Sequence, residues 1–87
     1  MTSISTKLLN ESGLHARPAH LFVTTAQKYQ STIHVIKDDK KVDGKSILAI
    51  LTLGASKNAD IVIEAQGDDE KEAVTELGAL IESNFGE

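Results

Sequence analysis

The hydrophobic periodicity of the chain switches repeatedly between the two-residue repeat of a β-strand and the 3.6-residue repeat of an α-helix. Strand-like alternation is found over residues 4–9, 32–36, 41–43 and 60–66. Helical spacing or helix boundary signals are found over residues 17–28, 46–54 and 69–83. The predicted order is β-α-β-β-α-β-α, an α+β fold in which one sheet face packs on helices and the other meets water.

Individual residues set the predicted helix boundaries. Pro18, the only proline, opens the first helix. Ser46 is an N-cap residue for a short second helix, and Gly54 is a candidate glycine for its end. Asp69 with Glu72 three residues later matches the spacing of a capping box at the start of the third helix.

The chain length limits where chemistry can occur. The 87 residues predict a single domain over residues 1–87. A domain of this size buries roughly 60–65% of its unfolded surface, which leaves little room for an internal ligand cavity. We therefore expect any chemistry to take place on the surface.

Charge and composition exclude several classes of protein. Nine Lys plus Arg against thirteen Asp plus Glu, with three aromatic residues, argue against direct binding of nucleic acid. The absence of cysteine excludes disulfides and thiolate metal sites and fits the reducing cytoplasm. The first residues lack the pattern of a signal peptide, and the longest apolar run, Ile47–Leu51, is too short to insert into a membrane.

The most informative segment is Gly13–Pro18, which places His15 and Arg17 where the first helix begins. The free N–H groups and the dipole of a helix start favour an anion and disfavour an imidazolium, so His15 should stay neutral and nucleophilic. Arg17 can donate two hydrogen bonds to phosphate oxygens. From the residues alone, both could equally be solvated polar side chains near a helix cap.

Neither a metal site nor a nucleotide-binding loop is predicted. His20 lies five residues after His15, which is not the spacing that stacks metal ligands on a helix, and His34 is expected on the outer sheet face, so we predict no metal site. Gly44-Lys45-Ser46 resembles the end of a phosphate-binding P-loop, but Asp39 stands where a glycine is required.

The second helix is too apolar for one buried face. Ile50 and Leu53 share a face and are the expected core pair, which leaves Ile47, Leu48 and Leu51 as a candidate exposed patch for a protein partner. The alternative, that these three side chains cover the core beneath a loop, stays open at this stage.

Three segments, Gly13–Pro18, Lys45–Leu48 and Thr52–Gly54, resemble the HPr family, the histidine-containing phosphocarriers of the bacterial phosphoenolpyruvate-dependent sugar phosphotransferase system. The resemblance extends over essentially the whole chain. It implies an open-faced β-sandwich, a four-stranded antiparallel sheet with three helices on one face. The residue pattern alone does not separate this fold from a ferredoxin-like arrangement.

The resemblance also implies a function and a set of site residues. His15 accepts a phosphoryl group from phosphorylated enzyme I and passes it to the sugar-specific A domains of permeases, and Arg17 stabilises the phosphohistidine. In Gram-positive relatives Ser46 is phosphorylated by HPr kinase/phosphorylase, and that form binds the catabolite control regulator. The expected partner interface comprises Ser12, Ala16, His20, Lys45, Ile47, Leu48 and Leu51.

The expected protein is thus a cytoplasmic, monomeric carrier without cofactor, rather than an enzyme. Two alternatives from other classes remain. One is a purely regulatory binding module in which only the Ser46 switch matters. The other is a small acyl-phosphate hydrolase on a ferredoxin-like scaffold, suggested only by the element order and the phosphate-friendly helix start.

Overall fold

The computed structural model of the protein describes residues 1–9 and 16–83. The secondary-structure order is the predicted one, and most element ends lie within one or two residues of the expected positions. The elements are β1 Thr2–Lys7, α1 Ala16–Ala26, β2 Thr32–Lys37, β3 Lys40–Asp43, α2 Ile47–Leu51, β4 Asp60–Gln66 and α3 Glu70–Glu82.

The four strands form one antiparallel sheet in the order β1-β4-β2-β3. In the register, Ile4 pairs with Ile63, and Ile63 pairs with Val35, so apolar side chains line up across one face. The opposite face carries polar positions such as Ser5 and His34, which the alternation of each strand turns away from the core. The expected open-faced β-sandwich, with three helices on one face, is confirmed.

The helices present apolar stripes to the inner sheet face. The stripe predicted for α1 is fully buried: Ala19, Phe22, Val23 and Ala26. In α3, Leu77 and Ile81 are fully buried, and they pack in the same core cluster as the inner residues of β4. Within residues 1–9 and 16–83, none of the helices combines the length and the apolarity that crossing a membrane requires.

The predicted capping box at α3 is wrong. Asp69 is the N-cap residue, but its side chain does not cap the helix. Its carboxylate instead accepts hydrogen bonds from the backbone N–H of Gln30 at 2.8 Å, the N–H of Ser31 at 3.0 Å and the Ser31 hydroxyl. The Ser31 hydroxyl and then the Gln30 N–H hold the pKa of Asp69 below its ordinary value of 3.8.

The turn that leads into α3 packs directly against Ser31. Gly67 has a φ of 153°, and a Cβ added there would lie 2.8 Å from the Ser31 Cα atom. Only glycine fits both conditions. The Glu70 carboxylate accepts a hydrogen bond from the Gly67 N–H at 3.2 Å. It also accepts one from the Thr2 hydroxyl, which is the main cause that lowers the pKa of Glu70 to about 2.

We expect acid to remove the contribution of Asp69 to stability. The pKa of this carboxyl is lower in the folded than in the unfolded chain, so its stabilisation is complete above about pH 4 and is lost as the pH falls through the folded pKa. Urea unfolding of the parent and of Asp69→Asn should give midpoints that differ clearly at pH 7 and approach each other as the pH falls below about 4.

The control for this prediction is Asp68→Asn, because Asp68 is an exposed neighbour that makes none of the three hydrogen bonds. Its urea midpoint should stay close to that of the parent at both pH values. A pH-independent difference between the parent and Asp69→Asn would contradict the prediction.

Candidate functional site

The structure describes only part of the predicted site. Ser12 and His15 lie outside the described residues, so the expectations for them remain predictions. The helix α1 begins at Ala16, the residue that follows His15 in the sequence. The geometry at the start of α1 is therefore the nearest structural information on His15.

The first turn of α1 is exposed on one side and buried on the other. Ala16 and Arg17 are exposed, whereas Pro18 and Ala19 are buried. No acidic residue occupies this turn, so nothing within the helix neutralises its positive dipole end. Arg17 forms no ion pair with the residues that the structure describes. The two features make the helix start suitable for an anion.

The other two histidines occupy the places that the sequence predicts. His20 is exposed and lies three residues after Arg17, so the two side chains share one side of α1. His34 lies on the outer face of the sheet. In the described part of the chain, no group of three or more His, Cys, Asp or Glu residues could hold a metal ion.

The predicted patch on α2 is smaller than expected. Leu48 is 78% exposed and Leu51 is 38% exposed, whereas Ile50 is fully buried. Leu53 is also buried, which confirms the expected core pair. Ile47 differs from the expectation, because it is half-buried and packs against the core cluster. A helix of five residues is too short to separate its faces by periodicity.

Lys45 and Ser46 connect α2 to the end of α1. The Ser46 hydroxyl accepts a hydrogen bond from the Ala49 N–H at 3.3 Å, which confirms the predicted N-cap. The Lys45 Nζ atom donates to the Tyr29 carbonyl at 2.6 Å, and Gln27 Nε2 donates to the Lys45 carbonyl at 3.3 Å. Sequence reasoning missed both contacts, since no local pattern joins these residues.

These contacts place the two predicted functional groups at opposite ends of one helix. Arg17 lies at the amino end of α1, whereas Lys45 contacts Tyr29, just beyond its carboxyl end. An eleven-residue helix is about 15 Å long. That length exceeds the Debye length of about 8 Å at physiological ionic strength, so a charge at the carboxyl end of α1 is largely screened from its start.

The carboxyl end of α1 is also tied to α3. The Tyr29 hydroxyl and the Lys28 ammonium both donate to Glu76, the latter at 3.0 Å. The hydrogen bond to Glu76 is the main cause that raises the pKa of Tyr29 to about 12 and lowers the pKa of Glu76. Tyr29 is thus held by side chains of two other segments.

Comparisons with known proteins agree with this architecture. The family model described as the PTS HPr component phosphorylation site matches residues 2–83. Phosphocarrier protein HPr of Neisseria meningitidis is 41% identical over 87 residues, which cover all of this chain and 98% of that protein. HPr-like protein Crh of Bacillus subtilis is 42% identical over 72 residues, 83% of this chain and 85% of that protein.

Solved structures give the same result. A structure of HPr from Thermoanaerobacter tengcongensis has a TM-score of 0.98 at 52% identity and covers 100% of this chain and 98% of its own. A second structure of that protein, solved as a dimer, has a TM-score of 0.81 at the same identity, with both chains fully covered.

The fold thus defines a small α+β protein whose first helix begins with an exposed, cationic turn. The chain belongs to the HPr family of the phosphotransferase system, which includes the phosphocarrier proteins HPr.

Loss of the Ser46 cap should destabilise the protein without unfolding it. We expect Ser46→Ala to lower the free energy of unfolding by about 1 kcal/mol, because the Ala49 N–H loses its acceptor. Ser46→Asn keeps an acceptor at the N-cap and should stay within about 0.5 kcal/mol of the parent. Urea unfolding measures both, and equal losses in the two variants would refute the role of the hydroxyl as a cap.

Proposed function

We propose that this chain carries a phosphoryl group on His15 from phosphorylated enzyme I to the sugar-specific A domains of permeases. Membership of the HPr family supports the class of function. The observation that supports the site is the exposed first turn of α1, which directly follows His15 and combines an unneutralised dipole with the Arg17 guanidinium. The exchange involves two partners, so an open surface suits it better than a pocket.

The chemical step is a transfer between two imidazoles. A ring nitrogen of neutral His15 attacks the phosphorus atom and forms a new N–P bond. The N–P bond in enzyme I breaks, and its electron pair returns to the nitrogen of the donor. When the second ring nitrogen carries a proton in both phosphohistidines, the donor leaves as a neutral imidazole and no proton has to move. Transfer to an A domain repeats this exchange. Because donor and acceptor are chemically alike, the step depends mainly on positioning and on compensation of the phosphoryl charge.

The partners dock, in this proposal, on the exposed residues of α1 and α2. Leu48 and Leu51 supply apolar area, and Ala16 and His20 supply the rim at the start of α1. Ile47 supports this surface from below, because it packs on the core. Lys45 contributes indirectly, because its ammonium binds the Tyr29 carbonyl. Ser12 is proposed as a contact from the sequence alone.

Ser46 is the proposed regulatory site. If the source is a Gram-positive bacterium, HPr kinase/phosphorylase phosphorylates its hydroxyl, and the product binds the catabolite control regulator. The similarity to Crh, the catabolite repression HPr of Bacillus subtilis, supports this role. A purely regulatory module is the second candidate, and the presence of His15 in this chain favours the carrier. The protein would act as a cytoplasmic monomer.

The carrier function predicts a specific phosphorylated product. Incubation with enzyme I and labelled phosphoenolpyruvate should give an acid-labile phosphoprotein in the parent and none in His15→Ala. Arg17→Ala should be labelled about 10- to 100-fold more slowly, because it loses a charge-assisted hydrogen bond to the phosphoryl group. Retention of the label in His15→Ala would refute the assignment.

A matched control for Arg17→Ala is Lys71→Ala, which removes an exposed cation from α3. The carrier proposal expects the labelling rate of Lys71→Ala to equal that of the parent. An equal loss of rate in both variants would show that total charge matters, and not the guanidinium at the helix start.

The separation of Ser46 from the start of α1 predicts which kinetic constant changes. Ser46→Asp should raise the KM of enzyme I for this protein, because it places a negative charge at the docking surface, and should leave kcat nearly unchanged. Ser46→Asn is the control, since it has the same shape without the charge. A fall in kcat at constant KM, or equal KM values for Ser46→Asp and Ser46→Asn, would contradict the prediction that the charge acts on docking.

A further inference from the structure

Lys45 forms more contacts than its role as a surface cation requires. Its ammonium donates to the Tyr29 carbonyl at 2.6 Å, and its backbone N–H donates to Asp43 Oδ1 at 2.9 Å. Its carbonyl accepts from Gln27 at 3.3 Å. α1 has no basic residue in its last turn, so Lys45 supplies from outside the cation that a helix carboxyl end favours.

The other lysines of this region already have partners elsewhere. Lys41 pairs with Glu64 at 2.8 Å on the sheet. Lys40 donates to the Thr52 carbonyl at 2.6 Å, at the carboxyl end of α2. Lys45 directly precedes Ser46 in the sequence. The Asp43 carboxylate accepts a hydrogen bond from the Lys45 N–H, so a second anion at Ser46 would be repelled by Asp43 and stabilised by a cation between them.

We propose that Lys45 is an internal counter-ion, which a phosphate on Ser46 draws away from the Tyr29 carbonyl, so that a charge on α2 loosens the carboxyl end of α1. This inference rests on the proposed phosphorylation of Ser46. A phosphoserine carries about −1.5 to −2 charges, so it offers the ammonium an attraction between opposite charges that the neutral carbonyl lacks. The carbonyl is the weaker competitor for the same ammonium.

Loss of the hydrogen bond between Lys45 and Tyr29 would weaken the turn after α1. Gln27, Lys28 and Tyr29 donate their backbone N–H groups to carbonyls of Val23, Thr25 and Ala26, and this turn ends at the carbonyl that Lys45 caps. Loss of the cap removes a bond to the end of this turn, so the amides of residues 27–29 should exchange more readily. The hydrogen bond between Tyr29 and Glu76 keeps the ring in place, which confines the change to the backbone.

The test uses isotopically labelled protein with phosphoserine placed at position 46 by genetic code expansion. The phosphoserine should shift the carbonyl ¹³C resonance of Tyr29 and accelerate amide exchange at residues 27–29 about 2- to 10-fold, the range expected for one lost hydrogen bond. In Lys45→Met, the unmodified protein should already show both changes, and phosphoserine should add nothing further at Tyr29.

The matched control is Lys40→Met, which removes the corresponding lysine bond at the carboxyl end of α2. Phosphoserine should still shift the Tyr29 carbonyl in this variant. Lys45→Gln serves as a second neutral variant if Lys45→Met does not fold. An unmoved Tyr29 carbonyl in the parent, or a shift of equal size in the neutral Lys45 variants, would overturn the proposal.

This test and those of the carrier function fail independently. Because the phosphoserine is introduced during synthesis, the spectra do not depend on a kinase or on enzyme I. Loss of labelling at His15 would leave the result at Tyr29 untouched. An unmoved Tyr29 carbonyl would leave the effect of Ser46→Asp on KM to be explained by repulsion at the docking surface alone.

Discussion

The Asp69 carboxylate fixes the connection on which the placement of α1 depends. It accepts three hydrogen bonds from Gln30 and Ser31, in the short segment between α1 and β2. Burial of the α1 stripe is strongly favourable but not directional, so packing alone allows the helix to slide along the sheet. Hydrogen bonds with defined geometry remove that freedom, and they couple the end of α1 to the start of α3.

The same short segment is contacted by the segment that precedes α2 and by α3. Lys45, next to α2, reaches the Tyr29 carbonyl, and Glu76 of α3 holds the Tyr29 hydroxyl. The carboxyl end of α1 is therefore the anchored end, and its amino end presents Ala16 and Arg17 to solvent. In a domain too small for an internal cavity, this division gives a helix that is held at one end and has an exposed first turn at the other.

The sequence predicts the element order and the buried faces well, because both depend on local periodicity. The stripe of α1 and the inner positions of β4 follow from spacing alone. The capping box at Asp69 failed for a physical reason: the carboxylate has partners 38 and 39 positions away, and they outcompete the local N–H groups. The contact between Lys45 and Tyr29 and the half-buried state of Ile47 depend equally on tertiary packing. The role of His15 comes from its motif and stays a prediction.

The length of α1 explains how a carrier could be regulated without changing its chemistry. A phosphohistidine that exchanges with two partners must stay close in free energy to both, so a strong field at the imidazole would trap the phosphoryl group or exclude it. About 15 Å of helix separates the first turn of α1 from the end that Lys45 contacts, and salt screens most of the interaction between charges at these two places. A charge on Ser46 can then oppose docking on Leu48 and Leu51 while the transfer potential of His15 is preserved. In the proposed function, this separation along α1 would keep regulation at Ser46 independent of group transfer at His15.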